Sequence, residues 1–204
     1  YERIGDMLVD EGDFTTALDT YGKALTIREE LAALDPDNKP RQRDLAINFD
    51  RIGDVQRYLD DMDSALLSYQ AALSIRQNLA ALDPTNMVWQ QDLLVSLDRM
   101  GDIHFDSNDL VAALEAQEEA RRIAEVIVSL TPDDLPRQAD LGLALKKIGD
   151  IRNAMGDTPG AREALQGGES SIMPSLVDGD LSRITAATVC DASHRGDELA
   201  GDVV

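Results

Sequence analysis

A four-residue phrase recurs at a fixed interval and limits what this chain can become. Arg3-Ile4-Gly5-Asp6, Arg51-Ile52-Gly53-Asp54, Arg99-Met100-Gly101-Asp102 and Lys147-Ile148-Gly149-Asp150 place glycines at 5, 53, 101 and 149, 48 residues apart each time. A period of that length marks a repeat array. Each unit is one supersecondary motif that buries its apolar face only against its neighbours.

Within the period the apolar residues fall at helical steps. Ala17, Leu18, Tyr21, Ala24, Leu25, Leu31 and Leu34 follow one another at threes and fours, as one face of an amphipathic helix requires. Ala65, Leu66, Tyr69, Ala72, Leu73, Ile75, Leu79 and Leu82 repeat the stripe, and Ala113, Leu114, Ala120, Ile123, Ile127 and Leu130 repeat it again. Asp35-Pro36, Asp83-Pro84 and Thr131-Pro132 stop these helices, because proline disfavours helical geometry in the residue before it. Asn38, Asn86 and Asp134 then stand as N-caps of the next helices, and Asp13 as a cap within the first unit. The unit reads helix, tight turn, helix, proline turn. No alternating strand pattern interrupts it, and loops this short set successive helices antiparallel.

The slots of this unit resemble the tetratricopeptide repeat family over residues 1–166. A large apolar residue (Tyr1, Phe49, Leu97, Leu145) precedes the phrase. The turn falls at Gly12, Asp60, Asn108 and Gly156, and small residues follow at Ala17, Ala65, Ala113 and Ala161. The period is longer than the 34 residues common in that family by 48 − 34 = 14, about two extra turns per helix. Long units of this kind are similar to kinesin-light-chain-type arrays and to arrays in bacterial signalling proteins. Two other departures are Leu8, Gln56, His104 and Arg152 at an aromatic slot, and Gln117 where Tyr21 and Tyr69 stand in earlier units. The resemblance implies an all-α, right-handed superhelical solenoid of antiparallel helix hairpins, with units at about 1–38, 39–86, 87–134 and 135–166. From 167 the register is lost at Gly167-Gly168, and residues 167–204 read as a degenerate, poorly ordered tail, the kind of break a change of reading frame would leave. The chain opens at Tyr1 part-way through a unit, which reads as a fragment of a longer array.

Charge narrows the partners. With 19 Lys+Arg against 39 Asp+Glu the chain carries −20, which repels nucleic-acid phosphates and anionic membrane surfaces. A single cysteine, Cys190, rules out an internal disulfide, and a cytoplasmic location is expected. Cys190 and His194 fall short of the usual four metal ligands, no reaction centre is visible, and neither enzyme activity nor a cofactor is expected.

The candidate site is the first-helix face, which the family resemblance places on the concave side. A stripe there runs Ile47, Asp50, Arg51, Asp54 and Tyr58, continues as Val95, Asp98, Asp102 and Phe105, and ends as Leu143, Lys146, Asp150 and Asn153. Apolar anchors beside carboxylates suit a basic, amphipathic peptide. The competing reading is structural. Ile47, Val95 and Leu143 would pack between units, Arg51 and Asp54 or Arg99 and Asp102 would pair within one helix, and Asp54 also has Arg99 of the next unit within reach. The expectation is a protein–protein interaction scaffold, with self-association through the exposed end units as a further expectation. The alternative is a regulatory array of a larger signalling enzyme.

Overall fold

The computed structural model describes residues 1–172. Among them are eight helices and no strand: α1 (Glu2–Asp10), α2 (Phe14–Leu34), α3 (Lys39–Tyr58), α4 (Met62–Leu82), α5 (Met87–Asp106), α6 (Leu110–Leu130), α7 (Leu135–Ala154) and α8 (Thr158–Ile172). From α2 to α7 the lengths alternate strictly, 21 then 20 residues. The 48-residue period is therefore two long helices and two short joints.

Both joints come from local chemistry. Within a hairpin, the turn residue takes a left-handed backbone at Gly12 (φ 77°), Asp60 (φ 61°), Asn108 (φ 59°) and Gly156 (φ 83°). Glycine adopts that geometry freely, and Asn and Asp tolerate it better than other residues. The following aspartate caps the second helix. Asp13 accepts from the Thr16 amide at 3.1 Å, Asp61 from Ser64 and Asp109 from Ala112 at 3.2 Å each. Between hairpins, Asp35 and Asp83 are extended (φ −147° and −145°) ahead of their prolines. Asn38, Asn86 and Asp134 cap the next helix as the sequence predicts.

Each helix packs on the one before it and the one after it. The core is a series of clusters: Ala17 and Tyr21 of α2 with Ile52 and Val55 of α3, Ala65 and Tyr69 of α4 with Met100 and Ile103 of α5, and Leu94 of α5 with Ala124 and Ile127 of α6 and Leu141 of α7. The small residues explain the close approach: Ala17, Ala65 and Ala113 are fully buried. The helix continues past the break expected at 167. α8 runs through Gly167-Gly168 to Ile172, and Gly168 is buried with its Cα side towards Leu145 and the Gly142 carbonyl of α7. Glycine here fills the slot of Ala24, Ala72 and Ala120, so the small-residue rule holds one unit further. The rest of the predicted tail, with Cys190 and His194, lies outside the described residues. No helix among those described is long and apolar enough to cross a membrane.

Candidate interaction face

The recurring phrase has a division of labour. Its glycine is a seat. A methyl group on Gly5 would come within 2.4 Å of the Tyr21 ring, and one on Gly53 within 2.6 Å of Tyr69. The tyrosine of α2 or α4 packs directly against the bare backbone of the first helix. Its hydroxyl reaches the phrase's aspartate: Tyr21 donates to Asp6 and Tyr69 to Asp54, each at 2.7 Å. Burial, reinforced by the neighbouring carboxylates, pushes both phenols well above the ordinary tyrosine range.

The phrase's basic residue then serves the preceding unit, not its own. Arg51 lies 5.8 Å over the Tyr21 ring and 3.5 Å from Asp6, and Arg99 lies 5.7 Å over Tyr69 and hydrogen-bonds Asp54. Lys147 bonds Asp98 at 2.6 Å and Asp102 at 2.7 Å. Burial alone would disfavour the Lys147 ammonium, but the two carboxylates outweigh it and raise its pKa. Asp102 is pushed up by burial despite Lys147. In the third unit Gln117 occupies the tyrosine position and donates to Asp98 at 3.1 Å; in the fourth, Leu165 occupies it and packs its carbons beside Gly149.

Further rungs join the first helices end to end. Arg43 pairs with Asp92, Arg57 with Asp106 at 2.7 Å, and Gln91 with Asp140 at 3.0 Å. The Arg–Asp and Lys–Asp pairs of the phrase thus cross between units. The within-helix pairing of Arg51 with Asp54, or Arg99 with Asp102, is replaced, because each cation is already drawn to the carboxylates of the unit before it.

The sequence candidates separate accordingly. Asp50 is a correction: it is only 5% exposed, ion-paired at 2.5 Å to Arg76 of α4, whose other nitrogen donates to Ser96 of α5. Burial pushes its carboxyl up against the pull of Arg76. It reads no partner from there. Asp54, Asp98 and Asp102 are half-buried and already bound, and Ile47 is half-buried. Tyr58, Val95, Phe105, Lys146, Asp150 and Asn153 are exposed, with Lys146 holding Asp150 at 3.0 Å one turn on. Sequence reasoning missed Arg28 and Arg76. Their signal was available: a basic residue on the apolar stripe, four before Ala32 or Ala80, needs a counter-charge, which half-buried Glu2 and buried Asp50 supply.

Between α1 and α3 the face opens into a groove of about 230 Å³ lined by Asp6, Val9, Asp10, Tyr21, Arg51, Asp54, Val55 and Tyr58. Tyr58 forms its wall and stacks on Phe14 at 4.8 Å between centroids. Among the described residues no group of His, Cys, Asp and Glu is arranged to hold a metal ion.

Comparison with solved structures fits this geometry. BtubC (BKLC) from P. vanneervenii superposes with a TM-score of 0.69 at 17% identity, over 91% of this chain and 67% of that one. The fold is a tetratricopeptide-like helical solenoid. MamA (TM-score 0.47, 16% identity, 91% of this chain and 96% of that one) and a tetratricopeptide repeat protein from Parabacteroides merdae (0.27, 16%, 86% and 93%) align less well. No protein-family model and no curated protein matches the chain.

Proposed function

We propose that this chain is a protein–protein interaction scaffold. Its stacked first helices bind a basic, amphipathic peptide along the concave face, and its 48-residue unit is the lengthened, kinesin-light-chain-like form of the repeat. One observation carries the reading: aromatic and aliphatic side chains stand exposed beside carboxylates on successive first helices. Tyr58 borders the groove that holds Asp6 and Asp10, and Phe105 stands next to Asp106. Aromatic anchors supply contact area at low entropy cost, and flanking carboxylates select Lys and Arg. The overall charge of −20 speeds the encounter with cationic partners.

The test is fluorescence anisotropy with a panel of labelled helical peptides of matched apolar content and either basic or acidic polar faces. The basic set binds, binding weakens with added salt, and Tyr58→Ala with Phe105→Ala reduces it about tenfold or more, about 1.4 kcal/mol. A preference for acidic peptides, or indifference to both substitutions, refutes the reading.

A further inference from the structure

The groove between the C-terminal halves of α1 and α3 has a counterpart one unit further on, and the two differ in what fills them. Val9 stands 48 residues before Arg57, as Asp6 does before Asp54, Tyr21 before Tyr69 and Asp54 before Asp102. In the second unit the chain fills the place itself. Arg57 bonds Asp106 at 2.7 Å. Burial disfavours its charge, but Tyr69 and Asp106 outweigh that and raise its pKa. In the first unit Val9 has neither the length nor the charge of Arg57. The same surroundings, Asp6, Tyr21 and Asp54, then border an open groove of about 230 Å³. The opening follows from a valine where the next unit has an arginine.

The wall of the groove suits the same group independently. Tyr58 is 63% exposed, and its ring stacks on Phe14 with the planes 14° apart. That stack fixes the ring and leaves the rest of it to the groove it lines. A flat guanidinium over a tyrosine ring, beside an aspartate, is an arrangement this chain already builds twice: Arg51 with Tyr21 and Asp6, and Arg99 with Tyr69 and Asp54. Arg51 also lines the groove, but it is held by Asp6 and lies over Tyr21, so it does not take the place that Arg57 takes one unit on.

Resting on the scaffold reading above, we propose that this groove takes an arginine side chain of the partner and selects it over lysine. The guanidinium occupies the place that Arg57 fills one unit on, stacks on Tyr58, and meets Asp6 and Asp10 as its carboxylates. Lysine brings the same charge as a compact, strongly hydrated ammonium. It keeps the Coulombic attraction but loses the planar stack and the forked hydrogen bonds. The groove therefore fixes which basic residue the partner carries at this point, and Phe105, on another first helix, has no part in that choice.

The probe is a pair of labelled helical peptides that share a leucine face and carry on the other face either arginines alone or lysines alone, titrated onto the whole chain by fluorescence anisotropy. The arginine peptide binds about fivefold or more tighter. Tyr58→Leu keeps an apolar wall but removes the ring, and the two peptides then bind within about twofold of each other. Val9→Arg supplies the guanidinium from the chain itself, and the arginine peptide falls to the level of its lysine twin; circular dichroism and the thermal midpoint report that this variant is folded. Phe105→Ala weakens both peptides and leaves their ratio unchanged. Equal binding of the two peptides by the wild-type chain overturns this proposal and leaves the scaffold reading standing, whereas failure of both to bind removes the scaffold reading and this proposal with it. An arginine preference that survives Tyr58→Leu also overturns the proposal, whatever Val9→Arg does, because the guanidinium is then read elsewhere.

Discussion

Two glycines in similar helices carry opposite expectations. Gly53 sits in α3 under the Tyr69 ring, and a methyl group added there would lie 2.6 Å from Cε1 and 2.8 Å from Cδ1. The ring cannot slide away. It is 1% exposed, belongs to a cluster with Ala65, Met100 and Ile103, and its hydroxyl is bonded to Asp54. Overpacking of this kind costs about 1–3 kcal/mol, against which alanine regains about 0.5–1 kcal/mol of helix preference, leaving Gly53→Ala destabilised by about 1–2 kcal/mol. Gly22, in α2, has open space where a methyl group would go. Gly22→Ala keeps the helix gain and meets no clash, so it is stabilised by about 0.5–1 kcal/mol. The two variants should therefore differ by about 2 kcal/mol, or about 4–8 °C in thermal midpoint for a chain of this size. Urea and thermal unfolding followed by circular dichroism measure both. Gly101→Ala should cost less than Gly53→Ala, since the crowding atoms there belong to the flexible Gln117 side chain. If Gly53→Ala were as stable as Gly22→Ala, the ring-on-backbone account of the repeated glycine would be wrong.

Three further outcomes follow from the same geometry. Asp50→Ala leaves the Arg76 guanidinium buried without its counter-ion and should cost about 3–5 kcal/mol in urea unfolding, whereas Asp150→Ala, which breaks an exposed pair with Lys146, should cost no more than about 0.5 kcal/mol. At alkaline pH stability should fall. The folded state keeps protons on Tyr21, Tyr69 and Lys147 that the unfolded chain releases near pH 10, so their contribution is complete below that point and is lost progressively as pH rises from there through the higher pKa values of the folded state. Tyrosinate absorbance should accordingly rise in two stages, the second coinciding with unfolding and reduced in Tyr69→Phe. At the left-handed turn, Asn108→Gly should be neutral or slightly stabilising and Asn108→Val destabilising by about 1–2 kcal/mol, read from thermal midpoints.

The elements of the fold were legible because each is written in residues whose roles are local. The turn slot accepts only residues that tolerate positive φ, and the sequence offers Gly, Asp, Asn and Gly there. The caps and prolines act within a few residues of where they stand. The glycine–tyrosine seat was legible in part, since both occur at fixed spacing, but the sequence does not say that they touch. The direction of the charge pairs was not legible. In a repeat, an arginine three residues before one aspartate is also 45 residues after another, and periodicity cannot choose between them. The choice is tertiary: Asp54 is turned to Tyr69 and Arg99, while Arg51 is taken by Glu2 and Asp6. Asp50 was misread for the same reason, because its burial depends on Arg76 in another helix.

That sorting constrains how a partner can be recognised. A carboxylate that cements two units cannot also read a peptide at no cost. A lysine or arginine of a partner that took Asp54 would compete with Arg99 and the Tyr69 hydroxyl, and so loosen the joint between the second and third units. Carboxylates with less to lose are Asp10, in the groove beside Tyr58, and Asp150, whose present partner is an exposed lysine one turn away. Recognition at these positions leaves the ladder intact, while recognition at Asp54 or Asp102 couples binding to the spacing of the units. The two modes separate by hydrogen exchange: a bound basic peptide that protects the α1–α3 groove without raising exchange in α5 leaves the Asp54–Arg99 pair in place, and one that raises exchange in α5 has displaced Arg99.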